Sequence, residues 1–326
     1  MIIIFIIAVN KTLCRFTIDA TMRTIIVLDL QMVTTKINQA VDIVIVGAGA
    51  AGVGCSIVLK ELGIENFTIL ERHQVGASFT LWPEEMRFIT PSFPSHGFGL
   101  LDLNAIALQT SPALAFKQEH LTGKQYAFYL QTVADHFELP VQTETEVQSV
   151  TPLPQGGFSL ETSRGKIQSQ FVIWAAGEYQ SPKLNLFPGA SECLHNSQVR
   201  SWQDLEGEEF IVIGGYESGL DAASNLVALG KKVGIIDRGE PWNNDHPDPS
   251  IGLSPYSLQR LDYIYRTGRL QLVGNTAIEQ VEKIPTGYVV YSHGKKWLTS
   301  HPPILYTGFE SSLKQIASLF DWSEGY

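Results

Sequence analysis

The stretch Val41-Asp-Ile-Val-Ile-Val-Gly47-Ala-Gly49-Ala-Ala-Gly52 decides the fold of this 326-residue chain. Its apolar run at residues 43–46 is typical of a parallel strand that is buried on both faces. The three glycines that follow have the spacing of a turn that joins such a strand to a helix and admits a dinucleotide. The stretch therefore predicts an α/β fold with a nucleotide site at this turn.

Each part of this first turn has a separate physical role. Gly47 permits the tight bend, Gly49 lets the backbone approach a diphosphate, and Gly52 lets the helix pack against the strand. The helix predicted at residues 51–62 directs its N-terminal amides and positive dipole end towards the phosphates. Glu71 ends the next strand, where a carboxylate accepts hydrogen bonds from ribose hydroxyls. The residues expected at the first site are therefore Gly47, Gly49, Ala50, Ala51, Gly52 and Glu71.

A second, less regular turn reads Phe210-Ile-Val-Ile-Gly214-Gly215-Tyr216-Glu217-Ser218-Gly219. Gly214 and Gly219 hold the outer positions, but Tyr216 stands where a glycine normally permits close approach of a phosphate. We expect Gly215 to compensate in part. The alternative is a structural strand–helix–strand unit without a nucleotide.

Two residues after the second unit bear on the choice of nucleotide. Asp237 favours the free ribose hydroxyl of NAD, whereas the guanidinium of Arg238 favours the 2′-phosphate of NADP. We favour NADP, and NAD remains the alternative. The residues expected at the second site are Gly214, Gly215, Glu217, Ser218, Gly219, Asp237 and Arg238.

Composition excludes several other classes of protein. A formal net charge of −10 argues against nucleic acid and against an anionic membrane surface as partners. The three cysteines form no C-x-x-C pair and no metal-ligand spacing, so we expect a cytoplasmic protein without a structural metal. The apolar run at residues 1–9 is shorter than the roughly 20 residues of a membrane helix, and we expect residues 1–40 to lie outside the fold.

The region between the two turns has recognisable local signals. Thr122-Gly-Lys-Gln125 matches a capping box that opens a helix to about residue 137. Strands are predicted at residues 146–150, 157–162 and 166–174. The last strand ends in Ala175-Ala176-Gly177, whose small side chains would let the backbone pass close to a cofactor.

On these motifs the chain resembles the flavin-dependent monooxygenase-like oxidoreductases, in which an NADPH domain interrupts an FAD domain. The motifs that carry the resemblance are both glycine turns, Glu71-Arg72, Gly76-Ala-Ser78 with Trp82, Ala175-Ala-Gly177, Arg238-Gly-Glu-Pro-Trp242 and Thr307-Gly-Phe309. The resemblance implies that FAD binds the first turn and NADPH the second. It also implies that Arg72 and Trp82 lie near FAD and that the backbone of Val147 meets the adenine.

The resemblance further implies a domain arrangement. Residues 41–189 would form the first part of the FAD-binding domain, residues 190–300 the inserted NAD(P)-binding domain, and residues 301–326 the return to the first domain. Because the family normally continues beyond the position of Tyr326, we expect a chain truncated at its C-terminus.

Two departures from the family pattern affect the expected chemistry. The monooxygenase fingerprint F-x-G-x-x-x-H is only loosely matched by Phe187-Pro-Gly189 and His195, and we expect His195 to be structural. The related bacillithiol disulfide reductases carry a cysteine where this chain has Ala51. Cys55 is expected to be a buried small hydrophobe, so thiol–disulfide chemistry has no obvious thiolate.

The sequence thus predicts an FAD-dependent oxidoreductase reduced by NAD(P)H, with a small organic substrate and O2 as a co-substrate if it is a monooxygenase. The alternatives are an inactive nucleotide-binding fold and an NADPH oxidase-type flavoprotein that oxygenates no substrate. Hydride transfer to a flavin needs no general acid or base, and no catalytic residue is assigned. Arg200 and Asp245-His246 are the candidates near the nicotinamide.

Overall fold

The computed structural model describes residues 5–7, 41–92, 102–246, 248, 251–320 and 322. They form two compact units. The first contains the described residues of Met1–Gln74, Leu139–Ala176 and Leu313–Tyr326, and the second those of Val75–Glu138 and Gly177–Ser312. These limits differ from the predicted domain boundaries at residues 189 and 300, and the assignment of one cofactor to each domain stays a prediction.

The first unit is built on a seven-stranded sheet. Its strands are β1 (Phe5–Ile7), β2 (Val41–Val46), β3 (Phe67–Leu70), β4 (Val141–Gln142), β5 (Val147–Pro152), β6 (Phe158–Thr162) and β7 (Gly165–Trp174). The strand order is β4-β3-β2-β7-β6-β5, and β1 pairs antiparallel with β7. Strands β4, β3, β2 and β7 are parallel, whereas β5, β6 and β7 form an antiparallel meander.

The first glycine turn lies inside this unit, between β2 and helix α1 (Ala50–Glu61). Residues 43–46 of β2 are all buried, as their unbroken apolar run predicted. The helix buries Gly52, Val53 and Ile57 against the sheet, and Gly63 follows its end with φ +75°. The predicted strand, helix and meander are therefore confirmed.

The second unit contains a five-stranded parallel sheet. Its strands are β8 (Leu194–His195), β9 (Glu209–Ile213), β10 (Lys232–Ile236), β11 (Leu270–Val273) and β15 (Ile304–Leu305), in the order β11-β10-β9-β15-β8. Helix α5 (Glu217–Ala228) joins β9 to β10, and α6 (Pro255–Tyr265) precedes β11. An antiparallel sheet of β12 (Gln280–Ile284), β13 (Gly287–Ser292) and β14 (Lys295–Thr299) packs on it through an apolar layer.

The second unit also contains α2 (Ala77–Thr80), α3 (Pro112–Phe116) and α4 (Gly123–His136). Both hydrogen bonds of the predicted capping box at Thr122 and Gln125 are present, which confirms the start of α4. Helix α6 begins at Pro255, because Ser254 caps it and Pro255 occupies its first position.

Most of the predicted extension at residues 1–40, including Cys14, lies outside the described residues, and only strand β1 is described there. Within the described part of the chain, none of the helices has the length and apolar character needed to cross a membrane.

Candidate functional site

The outer two glycines of the first turn are required by its backbone. Gly47 has φ +102°, and a Cβ added to it would lie 2.5 Å from the carbonyl oxygen of Ala175. A Cβ added to Gly52 would lie 1.9 Å from the carbonyl oxygen of Gly47. Real Cβ atoms do not come this close to backbone oxygens, so both positions exclude every other residue.

The middle glycine is different, because the protein itself does not need it. Gly49 has φ −80° and ψ −170°, which any residue adopts, and no atom of the described residues lies within 4 Å of an added Cβ. Gly49 is the N-cap of α1, and no side chain caps the helix. Since the first amides of a helix lack intrahelical partners, this end of α1 offers hydrogen-bond donors and open space to an anion.

Glu71 ties the first turn to the end of β3. Its Oε2 accepts a hydrogen bond from the amide of Ala48 at 2.8 Å, and its Oε1 accepts one from the amide of His73 at 2.8 Å. A carboxylate has about four acceptor positions, so two remain for ribose hydroxyls. The predicted ribose ligand therefore also fixes the turn, a role that the sequence did not reveal.

The structure brings Arg72 and Val147 to this same end of β3. The amide of Thr145 donates to the carbonyl of Glu71 at 2.9 Å, and Val147 begins β5 two residues later. Arg72 forms a half-exposed ion pair with Glu146, with 3.5 Å between Nη1 and Oε1. Both predicted residues thus lie near Glu71, as contact with the adenosine half of a dinucleotide requires.

Ala176 also lies beside the first turn. The amide of Ala175 donates to the carbonyl of Val46 at 2.8 Å, and the Cα of Ala176 would lie 3.1 Å from a Cβ at Gly47. The following residue, Gly177, has φ +69° and open space at its Cβ position, and it belongs to the second unit.

Trp82 belongs to the second unit as well, where it joins an aromatic cluster. Its ring centroid is 5.3 Å from that of Phe79 and 5.0 Å from that of Phe88, and Tyr126 packs against both phenylalanines. Trp82 is half-buried in this cluster. Its predicted contact with FAD stays a prediction.

The second turn repeats the backbone of the first. Gly214 has φ +103°, and an added Cβ would lie 2.4 Å from the carbonyl oxygen of Tyr306. A Cβ on Gly219 would lie 1.9 Å from the carbonyl oxygen of Gly214, the same distance as at the first turn. Tyr216 is the N-cap of α5, with φ −80° and ψ −168°. The two units therefore share one turn geometry despite the tyrosine.

The expected compensation by Gly215 is not found. A Cβ on Gly215 would lie 2.6 Å from the indole ring of Trp242, so this glycine makes room for the protein's own side chain. Its amide donates to Oδ2 of Asp237 at 2.7 Å, while the amide of Gly239 donates to Oδ1 at 2.7 Å. Asp237 thus holds the second turn by two hydrogen bonds from backbone amides, as Glu71 holds the first.

Arg238 and Ser218 are the exposed polar residues of the second site. Arg238 follows the locking carboxylate directly, and its side chain has no hydrogen-bond or ion-pair partner among the described residues. Ser218 is exposed at the second position of α5. Both side chains are available to the phosphates of a nucleotide.

The side chain of Glu217 binds other residues of the protein and does not face the open side of the turn. It is 9% exposed, and its carboxylate accepts hydrogen bonds from the amide of Ser254 at 2.5 Å, the hydroxyl of Ser254 at 3.1 Å and the hydroxyl of Ser257. These bonds hold the start of α6 against the start of α5. The Ser254-Pro-Tyr-Ser257 cap marks the start of α6 in the sequence, but it does not signal the contact with Glu217.

The three remaining candidates have structural contacts of their own. His195 is fully buried, its Nδ1 lies 2.9 Å from Oγ of Ser197, and burial lowers its pKa. Arg200 donates through Nη1 to the carbonyls of Leu81 and Ser197 at 2.6 and 2.9 Å. Nδ1 of His246 accepts from the amide of Asp248 at 3.1 Å. The structural role expected for His195 stays a prediction.

The two described cysteines are poorly suited to nucleophilic chemistry. Burial raises the pKa of Cys55 to about 11. Burial, with a smaller effect from Glu192, raises the pKa of Cys193 to about 12. Both thiols stay protonated near neutral pH, and the thiolate is the reactive form. In the described residues, moreover, no group of three His, Cys, Asp or Glu side chains is placed to hold a metal ion.

Comparison with known proteins gives three informative relatives. The uncharacterized oxidoreductase CzcO of Bacillus velezensis is 29% identical over 57% of this chain and 51% of its own length. Bacilliredoxin reductase Bdr of Bacillus subtilis is 26% identical over 78% of this chain and 72% of its own. The solved flavin-containing monooxygenase from Stenotrophomonas maltophilia superimposes with a TM-score of 0.65 at 21% identity, over 85% of this chain and 81% of that protein.

The chain thus spans about half the length of CzcO, whereas the solved structure shares its fold over 85% of the chain. The family model described as pyridine nucleotide-disulphide oxidoreductase matches residues 44–326, from β2 onwards. The chain therefore belongs to the pyridine nucleotide-disulphide oxidoreductase family.

Proposed function

We propose that this chain is an FAD-dependent oxidoreductase that is reduced by NAD(P)H. The observation that carries the proposal is the repeated turn, in which outer glycines, an uncapped helix start and a locking carboxylate recur with the same geometry. One such turn fits one dinucleotide, and hydride transfer between two nucleotides requires two.

FAD fits the first turn on three features. The space at Gly49 admits a diphosphate, the open amides of α1 stabilise its charge, and Glu71 keeps acceptor capacity for the ribose. Arg72 and Val147 would border the adenosine half. Bound FAD supplies the redox chemistry, and the residues of the chain supply binding and orientation.

The second turn fits NADPH better than NADH. A 2′-phosphate would place negative charge just beyond Asp237. The guanidinium of Arg238, which has no partner among the described residues, carries the positive charge that matches it. The carboxylate of Asp237 is already engaged by two amides, which leaves the adjacent arginine as the discriminating side chain.

We further propose that O2 takes part in turnover, with a small organic molecule as the oxygenated substrate. Both described cysteines are held as neutral thiols, so neither supports disulfide reduction of the kind that the name of the Bdr relative implies. If no substrate is oxygenated, the balanced reaction is NADPH, O2 and a proton giving NADP+ and hydrogen peroxide, as in an NADPH oxidase.

Spectroscopy and a stoichiometry test the proposal. The purified chain should absorb near ~450 nm once supplied with FAD and should oxidise NADPH aerobically. If one peroxide forms for each NADPH consumed, the turnover is that of an oxidase. An organic substrate that is oxygenated should lower the ratio of peroxide formed to NADPH consumed. A folded chain that binds no FAD contradicts the proposal.

A second candidate function is a nucleotide-binding fold without redox activity. The observation that favours it is Tyr216, which stands at the N-cap of the second turn. A chain that binds FAD but shows no saturable reduction by NADPH or NADH would support this candidate.

A further inference from the structure

Tyr216 stands at the position in the second turn that Gly49 holds in the first. Its φ of −80° and ψ of −168° match the −80° and −170° of Gly49. The same angles at the same position direct the Cβ the same way relative to the helix that follows. At Gly49 that direction is open, since no atom in the described part of the chain lies within 4 Å of an added Cβ. A middle glycine is what admits a diphosphate to such a turn, and Tyr216 fills its place.

The ring of Tyr216 is held rather than free to move aside. Its hydroxyl donates to the carbonyl oxygen of Gly252 at 2.7 Å. Burial, with smaller effects from Glu217 and Asp248, raises the pKa of Tyr216, so the hydroxyl remains a donor at neutral pH. The acceptor is itself fixed, because the amide of Gly252 donates to the carbonyl of Asp248 at 2.8 Å.

The next residue anchors the same segment a second time. The buried carboxylate of Glu217 accepts from the amide and hydroxyl of Ser254, two residues beyond the acceptor of the tyrosine. Tyr216 and Glu217, at the start of α5, therefore hydrogen-bond to Gly252 and Ser254 respectively. The ring can move away only if its hydrogen bond to the carbonyl of Gly252 breaks, and that carbonyl lies in a segment that Glu217 also holds.

We propose that Tyr216 weakens dinucleotide binding at the second turn. The tethered ring holds the diphosphate away from the amides at the start of α5, while the adenosine 2′-phosphate contact with Arg238 is untouched. The inference rests on the proposed function, because it assumes that this turn binds a dinucleotide. It makes Tyr216 the residue that sets the affinity of the second turn for a dinucleotide. The outer glycines, Gly214 and Gly219, are required by the backbone of the turn itself.

Calorimetric titration of the full chain with two probes tests the inference. NADP+ carries the diphosphate, whereas adenosine 2′-monophosphate keeps the 2′-phosphate and lacks the diphosphate. The variants are Tyr216→Gly, which removes the obstruction, and Tyr216→Phe, which keeps the ring and removes its tether. Tyr263→Ala on α6 is the control, because that tyrosine is 70% exposed and lies outside the turn.

We expect Tyr216→Gly to bind NADP+ about tenfold more tightly than wild type, or ~1.4 kcal/mol. Tyr216→Phe should show a smaller gain, and the affinity for adenosine 2′-monophosphate should be unchanged in every variant. NADP+ binding to Tyr216→Gly that is no tighter than to wild type overturns the inference. Weaker binding to Tyr216→Phe also overturns it, since the hydroxyl would then be a ligand of the nucleotide.

The same titrations separate this inference from the proposed function. If NADP+ binds wild type and the variants equally, the inference alone fails and the second turn is still a nucleotide site. If neither wild type nor Tyr216→Gly binds NADP+ or NAD+, both fail. FAD absorbance near ~450 nm reports the first turn independently in each sample, and circular dichroism confirms that each variant is folded.

Discussion

The amide of Ala48 donates a hydrogen bond to Oε2 of Glu71 at 2.8 Å, which joins the first glycine turn to the end of the next strand. The second unit repeats this relationship, with the amide of Gly215 donating to Oδ2 of Asp237 at 2.7 Å. In each unit the residue two positions beyond the carboxylate donates to its other oxygen. The carboxylate therefore holds the turn in shape before any ribose arrives.

We predict that Glu71→Ala destabilises the chain even without a nucleotide and also weakens FAD binding. The amides of Ala48 and His73 each lose an acceptor, which costs about 1–3 kcal/mol of unfolding free energy. Urea denaturation of the apo chain measures this loss, and fluorescence titration measures the affinity for FAD. Glu65→Ala, at an exposed position of the same unit, is the control. Unchanged apo stability would mean that the carboxylate does not hold the turn.

We predict that Arg238→Ala weakens NADPH binding by roughly 1.5–3 kcal/mol, because a hydrogen bond to a charged group is lost. NADH binding should change much less, since it has no 2′-phosphate. Steady-state KM values and direct titration with both nucleotides measure the difference, and Lys295→Ala in β14 controls for loss of one positive charge. Equal effects on NADPH and NADH would remove the 2′-phosphate assignment.

Helices α5 and α6 are joined by a buried ion pair, and we predict that breaking it on one side is costly. Nη1 of Arg260 lies 2.5 Å from Oδ1 of Asp221. The side chain of Asp221 is 5% exposed, and its burial raises the pKa of the carboxyl group. Arg260→Met leaves that carboxylate buried without its cationic partner, although Nδ2 of Asn225 still donates to Oδ2 at 3.1 Å, and this should cost about 3–5 kcal/mol of unfolding free energy.

The exposed pair of Arg266 and Asp262 supplies the matched control for this prediction. Arg266→Met should cost about 0–1 kcal/mol, because both side chains remain solvated. In the double variant Asp221→Asn with Arg260→Met, part of the lost stability should return. Equal costs for Arg260→Met and Arg266→Met would refute a structural role for the buried pair.

The buried imidazole of His195 should make stability depend on pH. Burial lowers its pKa from the ordinary value of 6.5, so the unfolded chain binds the proton first as the pH falls. Stability from this group is complete above about pH 6.5 and is lost as the pH falls below it. Urea titrations at about pH 7.5 and about pH 5.5, roughly 1 unit above and below that value, should show this fall in the free energy of unfolding.

His195→Asn should flatten this decline, whereas His73→Asn should leave it in place because His73 is exposed. An undiminished decline in the His195 variant would show that other groups carry the pH dependence.

The glycine turns were predictable because their requirements are local. Gly47 is required by its own φ of +102° and Gly52 by the nearby carbonyl of Gly47, and the capping box at Thr122 is read from four consecutive residues. The hydrogen bond from the amide of Ser254 to Glu217 was not predictable, since it joins two helix starts that are far apart in sequence. Gly215 shows the same limit, because only the folded chain reveals that Trp242 fills the space beside it.

The grouping of residues 75–138 with the second unit is likewise a matter of long-range packing. Its helices are marked by local caps at Ser111 and Thr122. Contacts such as the carboxylate of Glu85 with the hydroxyl of Ser201, at 2.5 Å, have no local sequence signal. Element boundaries therefore follow from the sequence more closely than the division into units does.

The dissociation constant of FAD from Gly49→Val tests the central claim most directly. The wild-type backbone at Gly49 suits any residue and its Cβ position is empty, so the apo stability should fall by no more than about 1 kcal/mol. If the first turn holds the diphosphate of FAD, the valine side chain occupies its place, and FAD should bind at least about tenfold more weakly than to wild type. Unchanged FAD affinity in this folded variant would contradict the account, because the diphosphate would then lie elsewhere.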